Sequence, residues 1–413
     1  MKGRHKPSSG HYNAAHLKPN HYTVADCNHP DINIRNLGPI STMHYQAKLA
    51  KLIASNDQSD YEKNRKETGI SKPSIFSALV ERYTFPVPRC FSLDLMHLLF
   101  INLGELLIPL WRGTIRCDPS DDKSTWDWVK LVGDVWVGHG KLVADATPYF
   151  PSSFHRPPRN PAEKISSGYK AIEYFLYLFG LGPAFFRTIL PRKYWRNFCK
   201  LVCGVRIIIK RRIRGRQLQE AHSYLVQFVE EFENLYYQRC VDRLHFCHPC
   251  LHALLHAAPE VLRVGPGAYS TQFTMERTIG NLGQEIRQPS NPFANLAQHA
   301  LQRSQINTLK IMCLELAPCA PFLPRSSQDV GNGYVFLRPR DRYPRQTSGP
   351  EFDALHLSGC ISKIRWWGRL HLPNGQISWS LWNEKNKSRQ NIRITRNVMV
   401  SFQNQIFFYT SLI

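Results

Sequence analysis

From Ser92 to about Leu316, apolar residues recur at intervals of three and four, and Pro or Gly falls where the pattern breaks. That period places the apolar residues on one stripe of an α-helix, so this stretch has to fold by burying helix stripes against one another. The pattern predicts helices at Leu93–Trp111, Ser124–Asp145, Pro161–Phe179, Pro191–Val202, Arg216–Arg239, His245–His256, Ser270–Arg287 and Asn295–Leu316. After "PFLPRSSQDVGNG" the runs become rich in β-branched and aromatic residues, and Asn374-Gly375 favours the positive φ angles of a tight hairpin. The expected fold is mainly α with a C-terminal β-rich domain. Its expected parts are an irregular lead-in (1–43), short helices and a Pro-containing connector (44–91), a helical domain (92–320), a linker (321–333) and the β-rich domain (334–413).

Charge narrows the partner. With 53 Lys+Arg against 31 Asp+Glu the chain carries +22, a field that an enzyme of small neutral substrates does not need and that a polyanion would use. DNA is the expected partner. A membrane is not: the most apolar stretch, Phe91 to Trp111, is interrupted by Asp94, His97 and Glu105 and suits a buried helix better than lipid. The N-terminus has basic residues but no apolar run behind them, so no secretory signal is expected. Eleven scattered cysteines then read as reduced thiols of the cytosol or nucleus.

Four segments carry candidate chemistry. In "HFCHPCLHALLHAAPE", Cys247-x-x-Cys250 has a zinc-knuckle spacing, or is a pair of small buried residues. His252 and His256 are one helical turn apart and either share a metal or pack as core histidines. Asp94-x-x-His97 places a carboxylate and an imidazole on one helix face, as metal ligands or as a local hydrogen bond. Glu276 and Arg277 open a helix with Ile279, Leu282 and Ile286 turned inward, and spacing alone makes nothing there catalytic. Lys210, Arg211, Arg212, Arg214 and Arg216 fill five of seven positions, as a solvated face, a phosphate contact or a nuclear-import signal. Arg156, Arg159, Arg192, Lys193 and Arg196 extend the basic surface, with Tyr194 and Trp195 as aromatics that could stack on bases.

Read together, "KPSIFSAL", "FSLDLMHLLFINLGELLIPLWRG", "STWDWV", "SSFHRPPRNPAEKISSGYKA", "LPRKYWRNFCKLV", "TMERTIGNLGQEIRQPSNPFANL", "GNGYVFLRPRDRY" and "HLPNGQ" resemble the fungal CACTA-related transposases of the Plavaka type. The resemblance spans roughly Leu17 to Phe402. It implies a cut-and-paste DNA transposase of the nucleus, working on DNA, with a homo-oligomer as a further partner. It implies an RNase-H-like core in which two aspartates and a glutamate hold Mg2+ or Mn2+, with a helical domain inserted before the glutamate. That glutamate corresponds to Glu276, followed by Arg277. The family's Cys-or-Asp-x-x-His and His-x-x-x-His motifs correspond to Asp94 and His97, and to His252 and His256, as ligands of a structural Zn2+ closing the inserted domain. Cys247 and Cys250 match no motif of the family. The two aspartates have no evident counterpart: Asp26 and Asp31 lie in a Pro- and Asn-rich loop, and a triad of Asp94, Asp145 and Glu276 is disfavoured because Asp145 ends a helix. The expectation is an N-terminally truncated copy whose nuclease strands are largely missing, alternatively a non-catalytic nuclear DNA-binding or scaffold protein of transposon origin.

Overall fold

The computed structural model describes residues 4–5, 11–12, 17–20, 29–38, 41–78, 86–87, 89–150, 156–286, 290–316, 323–324, 326–346, 348–349, 352, 363–373, 377–380, 399–402 and 405–408. Its longer helices are α1 (Thr42–Ile53), α2 (Gln58–Thr68), α3 (Leu103–Arg112), α4 (Gly133–Asp145), α5 (Arg192–Ile208), α6 (Gly215–Phe232), α7 (Pro249–Val264), α8 (Phe273–Glu285) and α9 (Pro292–Met312). A small antiparallel sheet follows, with strands β1 (Gln328–Gly331), β2 (Tyr334–Pro339), β3 (Trp367–His371) and β4 (Ile377–Trp379) in sequential order. The protein is therefore mainly helical with a C-terminal antiparallel sheet. By contact density the chain forms two compact units, one of Met1–Val132 with Leu178–Thr274 and the other of Gly133–Tyr177 with Met275–Ile413. The sequence boundaries follow changes of periodicity, whereas the units follow packing, so Gly133–Tyr177 groups apart from the helices that flank it in the chain.

The core of the first unit is aromatic. Trp111, Trp128, Tyr194 and Tyr236 are all essentially inaccessible. Trp111 packs at 4.9 Å against Phe186 and 5.3 Å against Phe198, and its indole N–H donates to the Tyr236 hydroxyl at 2.9 Å. Burial of such rings dominates core energetics when their polar tips are satisfied, as they are for Trp111, Tyr194 and Tyr236, whereas the buried Trp128 Nε1 has no hydrogen-bond partner. Around them, Asp121 and Arg243 form a buried bidentate pair at 2.7 and 2.8 Å, and Trp126 Nε1 donates to the same carboxylate. The expected helix Ser124–Asp145 begins only at Gly133, because Trp126 and Trp128 are drawn into this core while Lys130 and Leu131 N–H groups donate to the Trp111 carbonyl. α5 and α6 approach closely at Gly204, where an added Cβ would stand 2.8 Å from Leu225 Cγ.

The lead-in is tied down rather than loose at its described residues. Leu17 is buried with Tyr237, Leu244 and Cys247, and its N–H donates to Glu233 at 2.7 Å. Asp31 pairs with Arg239 at 2.8 Å, and Arg35 pairs with Glu230. These contacts converge on a corner where Gln238 and Arg239 both adopt φ 56°. Two consecutive left-handed non-glycine residues persist only where surroundings over-determine them, and the ties from Lys18, Asn20 and Asp31 do so.

In the second unit, the expected helix Pro161–Phe179 is broken into Pro161–Lys164, a turn with Gly168 at φ 70°, and Ala171–Tyr174 leading into a wide helical turn. Glu173, fully buried, accepts from Arg159 and explains the break, since the turn brings the two together. In the sheet, β1 lies wholly inside the expected linker and turns through Asn332 and Gly333, both at positive φ. β3 and β4 pair antiparallel with His371 opposite Ile377, as a hairpin at Asn374-Gly375 requires; residues 374–376 themselves lie outside the described residues.

Candidate functional site

Asp94 opens the long apolar helix, and its carboxylate works there as a cap. Oδ1 accepts from the Met96 N–H at 3.0 Å and the Gln272 N–H at 3.4 Å, while Oδ2 accepts from the His97 N–H at 3.3 Å and meets His97 Nδ1. Short acidic side chains at this position satisfy amide donors that have no partner within the helix. The local hydrogen bond between the two side chains is present. The helix continues through a wide turn, Met96–Asn102, into α3.

The expected helix His245–His256 runs instead over Pro249–Val264, with Pro249 in the first turn where no amide donor is required. On it, His252 and His256 face each other with Nε2 atoms 3.2 Å apart. Burial holds both imidazoles below their ordinary range, His252 down to about 4, so both are neutral at pH 7, and one donates to the other. Two nitrogens bound to one tetrahedral zinc lie about 3.3 Å apart, so the spacing of the pair is compatible with two zinc ligands as well as with this hydrogen bond. The Nδ1 of His252 is buried without a hydrogen-bond partner. His222, on the facing helix α6, is likewise depressed by burial and contributes to the depression of His256. Nothing in the spacing of the sequence marks His222, because it joins the pair across a helix interface. Among the described residues, no three His, Cys, Asp or Glu side chains converge closely enough to hold a metal. Thus the structure pairs Asp94 with His97 and His252 with His256.

The two cysteines that look most like zinc ligands behave otherwise. Cys247 and Cys250 are 0% and 5% exposed, and burial pushes the Cys250 thiol up to about 12 and Cys247 well up. Thiols held protonated in an apolar setting are packing residues rather than ligands.

The basic residues divide sharply. Ile207, Ile208 and Leu218 are buried and pin the ends of the turn linking α5 to α6. From that turn Lys210, Arg211, Arg212, Arg214 and Arg216 are all exposed, and no ion pair engages them among the described residues. Some cations elsewhere are committed: Lys193 to Asp127 at 2.7 Å, Lys200 to Glu231, Arg206 to the Phe179 carbonyl, and Arg156 and Arg159 to Glu173. Arg192 and Arg196 remain exposed on α5. Tyr194 is 0% exposed and donates to Asp127, so it cannot stack on a base; the helical period turns it inward. Trp195 is half-buried, with its indole N–H on the Pro183 carbonyl and Arg187 over its ring.

Glu276 and Arg277 lie exposed in the first turns of α8. Ile279, expected to face inward, is 53% exposed, and no residue of α8 is buried. Asp145 ends α4, and Asp31 is occupied by Arg239. Asp26 lies outside the described residues. No helix among the described residues is long and apolar enough to cross a membrane. Comparison of the chain with family models, with curated proteins and with solved structures finds no match.

Proposed function

We propose that the protein is a transposase-derived DNA-binding protein of a cut-and-paste DNA transposon, its helices corresponding to the domain inserted in an RNase-H-like transposase. The observation that carries the DNA-binding part is the turn Lys210–Arg216: five exposed cations clustered in seven positions, with no carboxylate partner among the described residues, on a chain of net charge +22. Unpaired, clustered cations are what phosphate contact and counterion release require. Arg277 on α8 is a further proposed phosphate contact, and the nucleus is the compartment that follows from a DNA partner.

In this reading His252 and His256 hold a structural Zn2+ together with Asp94 and His97, and the ion ties two helices that already touch through Leu93, Glu260 and Arg263. Asp94 would exchange part of its capping role for the metal. Glu276 is the proposed catalytic carboxylate; Mg2+ or Mn2+ would bind there only with a complete set of acidic partners, of which these 413 residues offer no clear second or third member. The alternative reading is a non-catalytic nuclear DNA-binding or scaffold protein of transposon origin.

The discriminating experiment incubates supercoiled plasmid with the full chain and Mg2+ or Mn2+, and measures retention and nicking in parallel. Retention that weakens with salt, with no nicking, is expected. Nicking abolished by Glu276→Gln would show an intact nuclease, and no retention at low salt would overturn the proposal.

A further inference from the structure

Cys199 and Cys203 take no part in either the histidine pair or the basic turn. They are four residues apart on α5, so their side chains rise from the same face one turn apart, Cys199 half-buried and Cys203 exposed, and both are free thiols. The helix under them packs closely against α6. Gly204, beside Cys203, lies against Leu225 so closely that a Cβ there would be 2.8 Å from Leu225 Cγ and Cδ2. The charge of a Cys203 thiolate would push the Tyr224 phenol on α6 up.

The spacing selects among thiol chemistries. Residues four apart on a helix have Cβ atoms about 5–6 Å from each other. A disulfide needs them about 3.5–4.5 Å apart, and the Gly204–Leu225 contact opposes the helix distortion that would close the gap. Two sulfurs on opposite sides of one soft cation lie roughly 4.5 Å apart, taking thiolate bonds near those of zinc. That separation is reachable from helical Cβ positions by side-chain rotation alone. Thiolates select soft ions, and a site with only two ligands suits a monovalent d10 ion better than Zn2+, which needs four.

We propose that Cys199 and Cys203 form a two-thiolate site for a soft monovalent cation of the copper(I) class. On binding, two S–H bonds break, two sulfur–metal bonds form and two protons leave to solvent, with no change in the oxidation state of sulfur or metal. The product carries one net negative charge. Arg206 is the next residue along the same face, three positions past Cys203, and its guanidinium already favours the Cys199 thiolate, so it offsets that charge. Its hydrogen bonds to the Phe179 carbonyl hold it there. Without metal, burial and then the neighbouring Cys203 push the Cys199 thiol up, so the site is filled more readily as pH rises.

The test titrates the reduced, full-length protein with copper(I) under anaerobic conditions against a chromogenic copper(I) chelator. One equivalent should be held by the wild type and by Cys313→Ser, a control at another exposed cysteine. Affinity should fall at least about tenfold in Cys203→Ser and in Cys199→Ser, with far-ultraviolet dichroism unchanged. Because Cys203 is exposed, its serine variant keeps the test valid even if Cys199→Ser perturbs folding. A Cys203→Ser protein, or the double variant, that holds copper as tightly as the wild type would overturn the proposal.

Discussion

Acidification should destabilise the first unit through the imidazoles of α7. In the folded chain His252 titrates near 4, against 6.5 for an ordinary imidazole, because burial penalises its charged form. Between these values the unfolded chain binds a proton that the folded chain does not. Stability from this group is therefore fully present above about pH 6.5 and is lost as pH falls toward 4, by up to about 1.4 kcal/mol per pH unit. At pH 5 His252 alone should have cost about 2 kcal/mol. His256 and His222 are shifted in the same direction, with Glu260 partly opposing the shift of His256. The assay is urea unfolding followed by tryptophan fluorescence at pH 7, 6 and 5 in EDTA, for the wild type and His252→Gln. The variant should lose about 2 kcal/mol less than the wild type between pH 7 and pH 5. Parallel pH dependence in the two proteins would refute the assignment of a buried, neutral His252. Replacing EDTA with equimolar Zn2+ should add stability at pH 7 that disappears by pH 5, since protons compete with the metal for the same nitrogens.

The Asp121–Arg243 pair has side chains only 5% and 8% exposed. Asp121→Ala leaves the buried guanidinium without its carboxylate, with only Gln238 and Thr125 as acceptors, and the Trp126 N–H without its partner, and should lower unfolding free energy by about 3–5 kcal/mol in the same urea assay, with tryptophan emission shifted in the native state. Gly204→Val drives a side chain into Leu225 at the α5–α6 seam and should cost about 1–3 kcal/mol, read as a lower thermal midpoint; an unchanged midpoint would mean the two helices do not touch there.

Helical character and the long apolar helix expected at Leu93–Trp111 were legible because each rests on a local period, and so was the change to strands, although the first strand, Gln328–Gly331, starts inside the expected linker. Interruptions were not. Ser124–Asp145 keeps a helical pattern in its sequence, yet Trp126 and Trp128 gain more from burial in an aromatic core than from helical hydrogen bonds. Likewise, Pro161–Phe179 breaks so that Arg159 reaches buried Glu173, a pairing that no periodicity reveals. At the candidate site, His252 and His256 were legible as a facing pair from their spacing, and Asp94 with His97 from theirs. What spacing could not supply was the partner across an interface: His222, Leu17 on Glu233, and the carboxylates that neutralise Lys193 and Arg159. Tyr194 was misplaced for the related reason that an aromatic beside basic residues looks exposed until the helix phase is fixed.

The proposal that this chain engages DNA through the turn between α5 and α6 is tested most directly by the salt dependence of binding. Duplex DNA of mixed sequence is titrated at several salt concentrations with the wild type, with a protein in which Lys210, Arg211, Arg212, Arg214 and Arg216 are all glutamine, and with Lys200→Gln, whose ion pair with Glu231 makes it the control. Removing one cation from a phosphate should flatten the plot of log affinity against log salt by about 0.9, so a turn that seats all five cations on phosphates should reduce the slope by about 4.5. Lys200→Gln should match the wild type. If the five-fold variant binds DNA with unchanged affinity and unchanged salt slope, the turn is a solvated surface and not the DNA-binding element.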